Sequence, residues 1–258
     1  MNNRILALTF FISLAFQSLT AQDRQYYQLK IYEFANEAQE KRTDTYLKEA
    51  LLPGLKSTNV SNIGVFKNRK DDPADTLRRT YVLIPFDELA QIQNVEDMLG
   101  RDKSYLANGT DYLNAMHDSP PYLRMETILL LAFEDMPLMR PSGLQGSRKD
   151  RIYELRSYES PTEAYFKNKV DMFNSGGEVK LFDRLEFNAV FYGEVIAGSS
   201  MPNLMYMTTF SDQKSRDQHW DTFRTAPEWI NLKDMEKYKN NVSHIDIFFL
   251  YPTEYSDY

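Results

Sequence analysis

Polar and apolar residues alternate through Tyr27-Gln28-Leu29-Lys30-Ile31-Tyr32-Glu33 and again through Arg151-Ile152-Tyr153-Glu154-Leu155-Arg156-Ser157-Tyr158, the period-two signature of half-buried strands. The two runs share Ile-Tyr-Glu. Each leads through a polar turn into apolar positions spaced three and four apart, residues 43–56 and 161–173, which predicts a helix after each strand. At the second helix Ser160 is placed to cap, Pro161 suits the first helical position, Glu163 completes the capping box, and Gly176-Gly177 stops the run. Strand pairs follow, residues 63–68 with 80–85 and residues 187–197 with 204–210, in which Val65-Phe66 corresponds to Val190-Phe191. A second helical stretch comes next in each half, residues 87–116 with interruptions and residues 212–223 extended by 232–240. A closing strand is predicted at 127–133 and at 245–250.

Both halves therefore read strand, helix, strand, strand, helix, strand, the βαββαβ order of a ferredoxin-like unit. The expected fold class is α+β, with tandem repeats at residues 23–134 and 151–258. The linker between them, residues 135–150, holds Pro137, Pro141, Gly143 and Gly146, which disfavour regular structure. Such a unit leaves one sheet face without helices, and two such faces in one chain can cover each other in a barrel-like core. A single repeat would need a second copy for this, and a homo-oligomer stays open as an assembly.

Residues 1–22 stand apart: a polar start with Arg4, an apolar run over residues 5–16, and a small polar stretch ending at Ala21. That is the pattern of a signal peptide cleaved after Ala21, and the run is shorter than the roughly 20 residues that span a bilayer. The mature chain is expected to be exported, soluble, and periplasmic or extracellular, with no integral membrane segment. Losing Arg4 shifts the formal charge from −7 to −8, which disfavours nucleic-acid and anionic-membrane partners. With no cysteine there is no disulfide, so stability rests on packing, for which 17 Tyr and 16 Phe supply large apolar area.

Four blocks in the second half carry a resemblance: Ile152-Tyr153-Glu154-Leu155-Arg156 with Tyr158; Val190-Phe191-Tyr192-Gly193-Glu194; Met201-Pro202-Asn203-Leu204-Met205-Tyr206-Met207; and Arg216-Asp217-Gln218-His219-Trp220 followed by Phe223, Pro227, Glu228 and Trp229. In this order they resemble the NIPSNAP domain, strongest over the C-terminal half. The resemblance implies the dimeric α+β barrel fold, here built within one chain. Barrels of this type include oxygenases, isomerases and haem enzymes, whereas NIPSNAP proteins resemble binding or assembly proteins. The first half looks like a diverged copy without these blocks.

Candidate chemistry concentrates in the same blocks. Tyr192 and Glu194 share one strand face; in a desolvated pocket Glu194 is a candidate general base, and otherwise it is expected to pair with an arginine. Arg216, Trp220 and Phe223 fall on one helix face with His219 beside it. Arg216 is either an anchor for a ligand carboxylate or a partner of Glu154 or Glu194, and Trp220 is either core or a ligand platform. His219 is an acid–base candidate by its ordinary pKa. Tyr206, between Met205 and Met207, completes the ligand-binding candidates, and the expected ligand is a small apolar or carboxylate-bearing molecule. Pro227-Glu228-Trp229 is expected to end one helix. His117, His219 and His244 lack metal-ligand spacing, so no metal is expected; haem through His219 or His244 is the one cofactor considered. Non-catalytic binding or assembly is the leading expectation, and a cofactor-light oxygenase, isomerase or lyase is the alternative.

Overall fold

Strand β1 (Tyr26–Phe34) turns Tyr27, Leu29, Ile31 and Glu33 to one side and Gln28, Lys30 and Tyr32 to the other, and this alternation organises the architecture. The computed structural model describes residues 23–69 and 78–258. The expected signal peptide lies outside the described residues. After β1, Asn36 caps helix α1 (Glu37–Tyr46), which runs through a π-helical segment (Leu47–Leu51) into α2 (Leu52–Ser57). The helix begins earlier than residue 43 because Asn36 accepts from the Gln39 amide, a local signal that apolar spacing does not register. Strands β2 (Gly64–Asn68) and β3 (Arg78–Phe86) follow, then α3 (Leu89–Leu99), α4 (Lys103–Asn108), α5 (Thr110–Leu113) and β4 (Arg124–Ala132).

The second half repeats the order with β5 (Ile152–Glu159), α6 (Glu163–Phe173), α7 (Glu178–Arg184), β6 (Phe191–Ala197), β7 (Asn203–Phe210), α8 (Gln213–Thr225), α9 (Pro227–Asp234) and β8 (His244–Pro252). Three local expectations are corrected. Thr162, not Ser160, caps α6, because the Ser160 hydroxyl donates to the Asn241 carbonyl at 2.7 Å. Helix α6 already ends at Phe173 with Asn174 as its C-cap, and Gly177, with a positive φ of 85°, opens helix α7 in the stretch that follows. Pro227 opens α9 rather than ending a helix, since its missing N–H costs nothing at a first helical position.

The eight strands close into a single barrel in the order β1-β3-β2-β8-β5-β7-β6-β4. The two halves contribute four adjacent strands each and are joined edge to edge by β2–β8 and β4–β6 pairing, rather than as two separate sheets laid face to face. Pairing uses both edges of each half, so hydrogen bonding and core burial are solved together. The interior is filled by Tyr27, Leu29, Phe66, Tyr81, Leu83, Leu130, Tyr153, Leu155, Phe191, Met205, Met207 and Leu250.

Register corrects the internal alignment. Tyr27 lies opposite Pro85 and Tyr153 opposite Thr209, while Tyr26 faces Phe86 and Ile152 faces Phe210. Tyr27-Gln28-Leu29-Lys30-Ile31-Tyr32-Glu33 thus matches Tyr153-Glu154-Leu155-Arg156-Ser157-Tyr158-Glu159, and the shared Ile-Tyr-Glu is out of phase: Tyr32 points outward and Tyr153 inward. The same registers align Gly64 with Phe191 and Phe66 with Gly193. Large and small residues exchange places across the core, since a Cβ on Gly64 would sit 2.4 Å from the Phe66 ring.

Residues 135–150 hold no helix or strand but are anchored over one barrel end: Arg140 N–H donates to the Val190 carbonyl, Ser142 and Thr209 hydroxyls lie 2.9 Å apart, and Arg148 donates to the Thr253 and Ser256 carbonyls. No helix among the described residues is long and apolar enough to cross a membrane.

Candidate functional site

The outer face of β5 presents Glu154, Arg156 and Tyr158 to the helix layer of the second half. Glu154 is fully buried and holds α8 to the sheet. Its carboxylate accepts from Arg216 Nε and Nη2, both at 2.8 Å, from Trp220 Nε1 at 2.8 Å and from Arg156 Nε at 2.7 Å. Burial pushes the Glu154 carboxyl up, but the Arg216 hydrogen bond and the charges of Arg156 and Arg216 outweigh it and hold the group below the ordinary carboxylate range. Arg156 lies 3.8 Å above the Trp220 ring and donates to the Tyr158 hydroxyl at 3.0 Å, which in turn meets the Tyr206 hydroxyl at 2.9 Å.

A cavity of about 610 Å³ opens beside this cluster, between the sheet and helices α6, α8 and α9. Aromatic walls come from Tyr158, Trp220, Phe223, Trp229 and Tyr238, and cations from Arg156, Lys169, Arg224, Lys233 and Lys239, against one lining carboxylate, Glu178. Lys169 and Glu178 form a buried pair at 2.9 Å, and the Lys169 ammonium lies 4.6 Å from the Phe173 ring centre. The three rim cations pair with acids outside the lining, Arg224 with Asp221, Lys233 with Asp234 and Lys239 with Glu236. Such exposed pairs are weak, about 0–1 kcal/mol, and yield readily to a better-placed anion.

The residues singled out from sequence do not converge on this cavity. Trp220 lines it; Tyr206 reaches it only through Tyr158; Arg216 is committed to Glu154 and Asp217. Tyr192 is buried among Phe133, Phe182 and Tyr206, and Glu194 is paired with Arg24 at 3.1 Å, both on the outer face of β6 rather than inside the barrel. His219 donates from Nδ1 to the Ser215 carbonyl at 2.6 Å and packs on Phe187 and Phe210. His244 stands at the barrel rim, 3.1 Å from Asp246. Neither histidine lines the 610 Å³ cavity, so the residues considered for haem do not fit one there, and no step is derived through it.

Arg156, Tyr158, Lys169, Glu178, Lys233 and Lys239 were missed as site residues. One of them left a legible signal: Phe166, Lys169 and Phe173 follow helical spacing, so a lysine sits on the buried stripe of α6 and needs a partner.

Solved structures that share the fold include the following three. A candidate monooxygenase from Lactobacillus acidophilus NCFM has a TM-score of 0.57 at 12% identity, covering 89% of this chain and 94% of that one. A candidate monooxygenase from Fusobacterium nucleatum has a TM-score of 0.55 at 10% identity, covering 90% and 93%. An anthrone oxidase-like protein has a TM-score of 0.53 at 9% identity, covering 90% and 93%. At these identities the likeness establishes the α+β barrel and nothing about activity. No curated protein matches the chain in sequence. The NIPSNAP family profile matches residues 153–257, the segment that supplies β5 to β8 and every residue around the cavity, so the match to the NIPSNAP domain falls on this C-terminal half of the barrel.

Proposed function

We propose that the protein binds a small anionic molecule with an aromatic or otherwise planar apolar body in the cavity of its NIPSNAP domain. One observation carries this: five cations and five aromatic rings surround a cavity of about 610 Å³ whose lining holds, among the described residues, a single carboxylate. Arg156 is fixed by Glu154 and Lys169 by Glu178, so the floor is pre-organised, while Arg224, Lys233 and Lys239 stand at the rim to meet a carboxylate or sulfonate. The rings supply the apolar contact expected of such sites.

A second role, chemistry on the bound molecule, is favoured by the Arg156–Tyr158–Tyr206 chain at the cavity wall. A guanidinium donating to one phenol and a second phenol behind it form an organised donor set for an enolate or phenolate oxygen. The two halves are, in this account, copies of one ferredoxin-like unit, of which the second keeps the site. The signal-peptide pattern of residues 1–22 supports export, and intact-mass analysis of the protein from the periplasm and the medium of a bacterial host would reveal cleavage near Ala21 or its absence.

Isothermal titration calorimetry with 2-naphthoate and its neutral amide tests the binding claim. One site per chain is expected, with the acid preferred at least about tenfold and that preference lost when Lys233 and Lys239 are both changed to Ala. Equal binding of acid and amide would overturn it.

A further inference from the structure

On the inner face of the barrel mouth, three adjacent strands bring polar side chains into one row. His244 on β8 lies directly opposite Glu159 on β5, and Glu159 lies directly opposite Asn203 on β7. Asp246, two residues along β8, shares the face of His244 and sits opposite Ser157. One ligand atom each from Glu159, His244 and Asp246 fall within 4.8 Å of one another, with His244 Nε2 and Asp246 Oδ1 3.1 Å apart. Two ligands of a tetrahedral zinc ion lie about 3.3 Å apart, so this spacing already suits coordination.

A separate observation points to the same place. Asn203 is 3% exposed; its Nδ2 donates to Ser157 Oγ at 2.9 Å, while its Oδ1 is buried without a partner among the described residues. Asn203, Ser157 and Asp246 all line a mouth cavity of about 240 Å³. An amide oxygen in that position calls for a donor or a cation. Among the described residues the charge balance also favours a cation: Glu33, Glu126, Glu159 and Asp246 against Arg79 and Arg124, four negative and two positive, give −2 at the mouth. An imidazole among the donors selects against the hard cations Ca²⁺ and Mg²⁺, which take oxygen.

We infer that Glu159, His244 and Asp246 form a mononuclear site for a divalent transition metal of the zinc class, with its open coordination position facing the mouth cavity and Asn203. The site is independent of the cavity under the helices. It lies on the other face of β5 and uses none of the same side chains.

The test is titration of untagged, chelator-treated full-length protein with Zn²⁺ by calorimetry against a competing chelator, with Co²⁺ absorption as a spectroscopic check. One Zn²⁺ per chain is expected, with affinity falling at least about tenfold in His244→Ala and in Asp246→Asn and unchanged in His219→Ala. The Co²⁺ ligand-field bands should disappear in His244→Ala. All three ligands are partly or fully exposed, so the variants should keep the wild-type circular dichroism, which separates loss of metal from loss of fold. Zinc binding insensitive to His244→Ala and Asp246→Asn would overturn the assignment. So would the absence of stoichiometric binding, or Ca²⁺ binding as tightly as Zn²⁺.

Discussion

The two outer layers of the barrel occupy matching positions and do opposite things with them. Around Tyr32 in the first half, Tyr112 and Tyr122 pack with ring centres 6.5 and 5.8 Å away, and Tyr46 stacks on Tyr112 at 3.8 Å, over a bed of Leu47, Leu51, Leu52 and Leu55. Around Tyr158, its counterpart, the helices stand off a cavity lined with cations. The inner strand shows the same divergence: Gln28 and Lys30 in the first half occupy the places of Glu154 and Arg156 in the second. Burial pushes the Lys30 ammonium down, only partly offset by Glu96, whereas Arg156 keeps its charge beside Glu154. A barrel needs both layers for burial, but only one must stay open for a ligand. The first half has the composition of packing and the second that of a site.

The largest expected effect tests that division in the second half. Glu154→Ala leaves two guanidiniums without their buried partner and should cost about 3–5 kcal/mol in denaturant unfolding, against about 1 kcal/mol or less for Gln28→Ala. Comparable losses for the two would dissolve the contrast. Next in size, Tyr46→Ala removes a stacked ring from a filled core and should cost about 3 kcal/mol or more. Trp229→Ala, half-buried at a cavity wall, should cost about 1 kcal/mol while weakening ligand binding.

A smaller effect follows from titration. Because the folded Glu154 carboxyl lies below its ordinary value of 4.5, its stabilisation is present above that pH and is lost as pH falls through the lower folded value. Wild type should therefore lose stability more steeply than Glu154→Gln as pH falls below about 4.5, and parallel curves would contradict the assignment. The smallest contrast concerns the exchanged core positions. Gly64→Ala, with its Cβ 2.4 Å from the Phe66 ring, should destabilise more than Gly193→Ala, where the nearest atom, Leu130 Cβ, is 3.0 Å away.

Much of this architecture was legible in the sequence, because strand alternation and helical spacing are local. Strands β1, β3, β5 and β7 fall close to their expected ranges for that reason. Helix α7 escaped because it is seven residues long and follows two glycines, where no periodic signal can build. The site was harder for a different reason. Arg216 and Glu154 are 62 positions apart, and only β5–α8 packing decides that the arginine serves the fold rather than a ligand. Glu194 likewise finds Arg24 across 170 positions. His244 reads as isolated until β5–β8 pairing sets Glu159 opposite it. Motif residues announced the NIPSNAP domain, while the side chains that line its cavity were brought together by tertiary packing.

The chain holds two tryptophans, Trp220 and Trp229, and both line the proposed site, so intrinsic fluorescence reports on it without a label. Titrating the protein with 2-naphthoate while following that emission tests the central claim most directly. A saturable change at one site per chain is expected, weakened at least about tenfold in the Lys233→Ala, Lys239→Ala double variant and retained in Tyr46→Phe. An emission that does not respond, or that responds equally in the double variant, would contradict an anion-binding cavity in the C-terminal half.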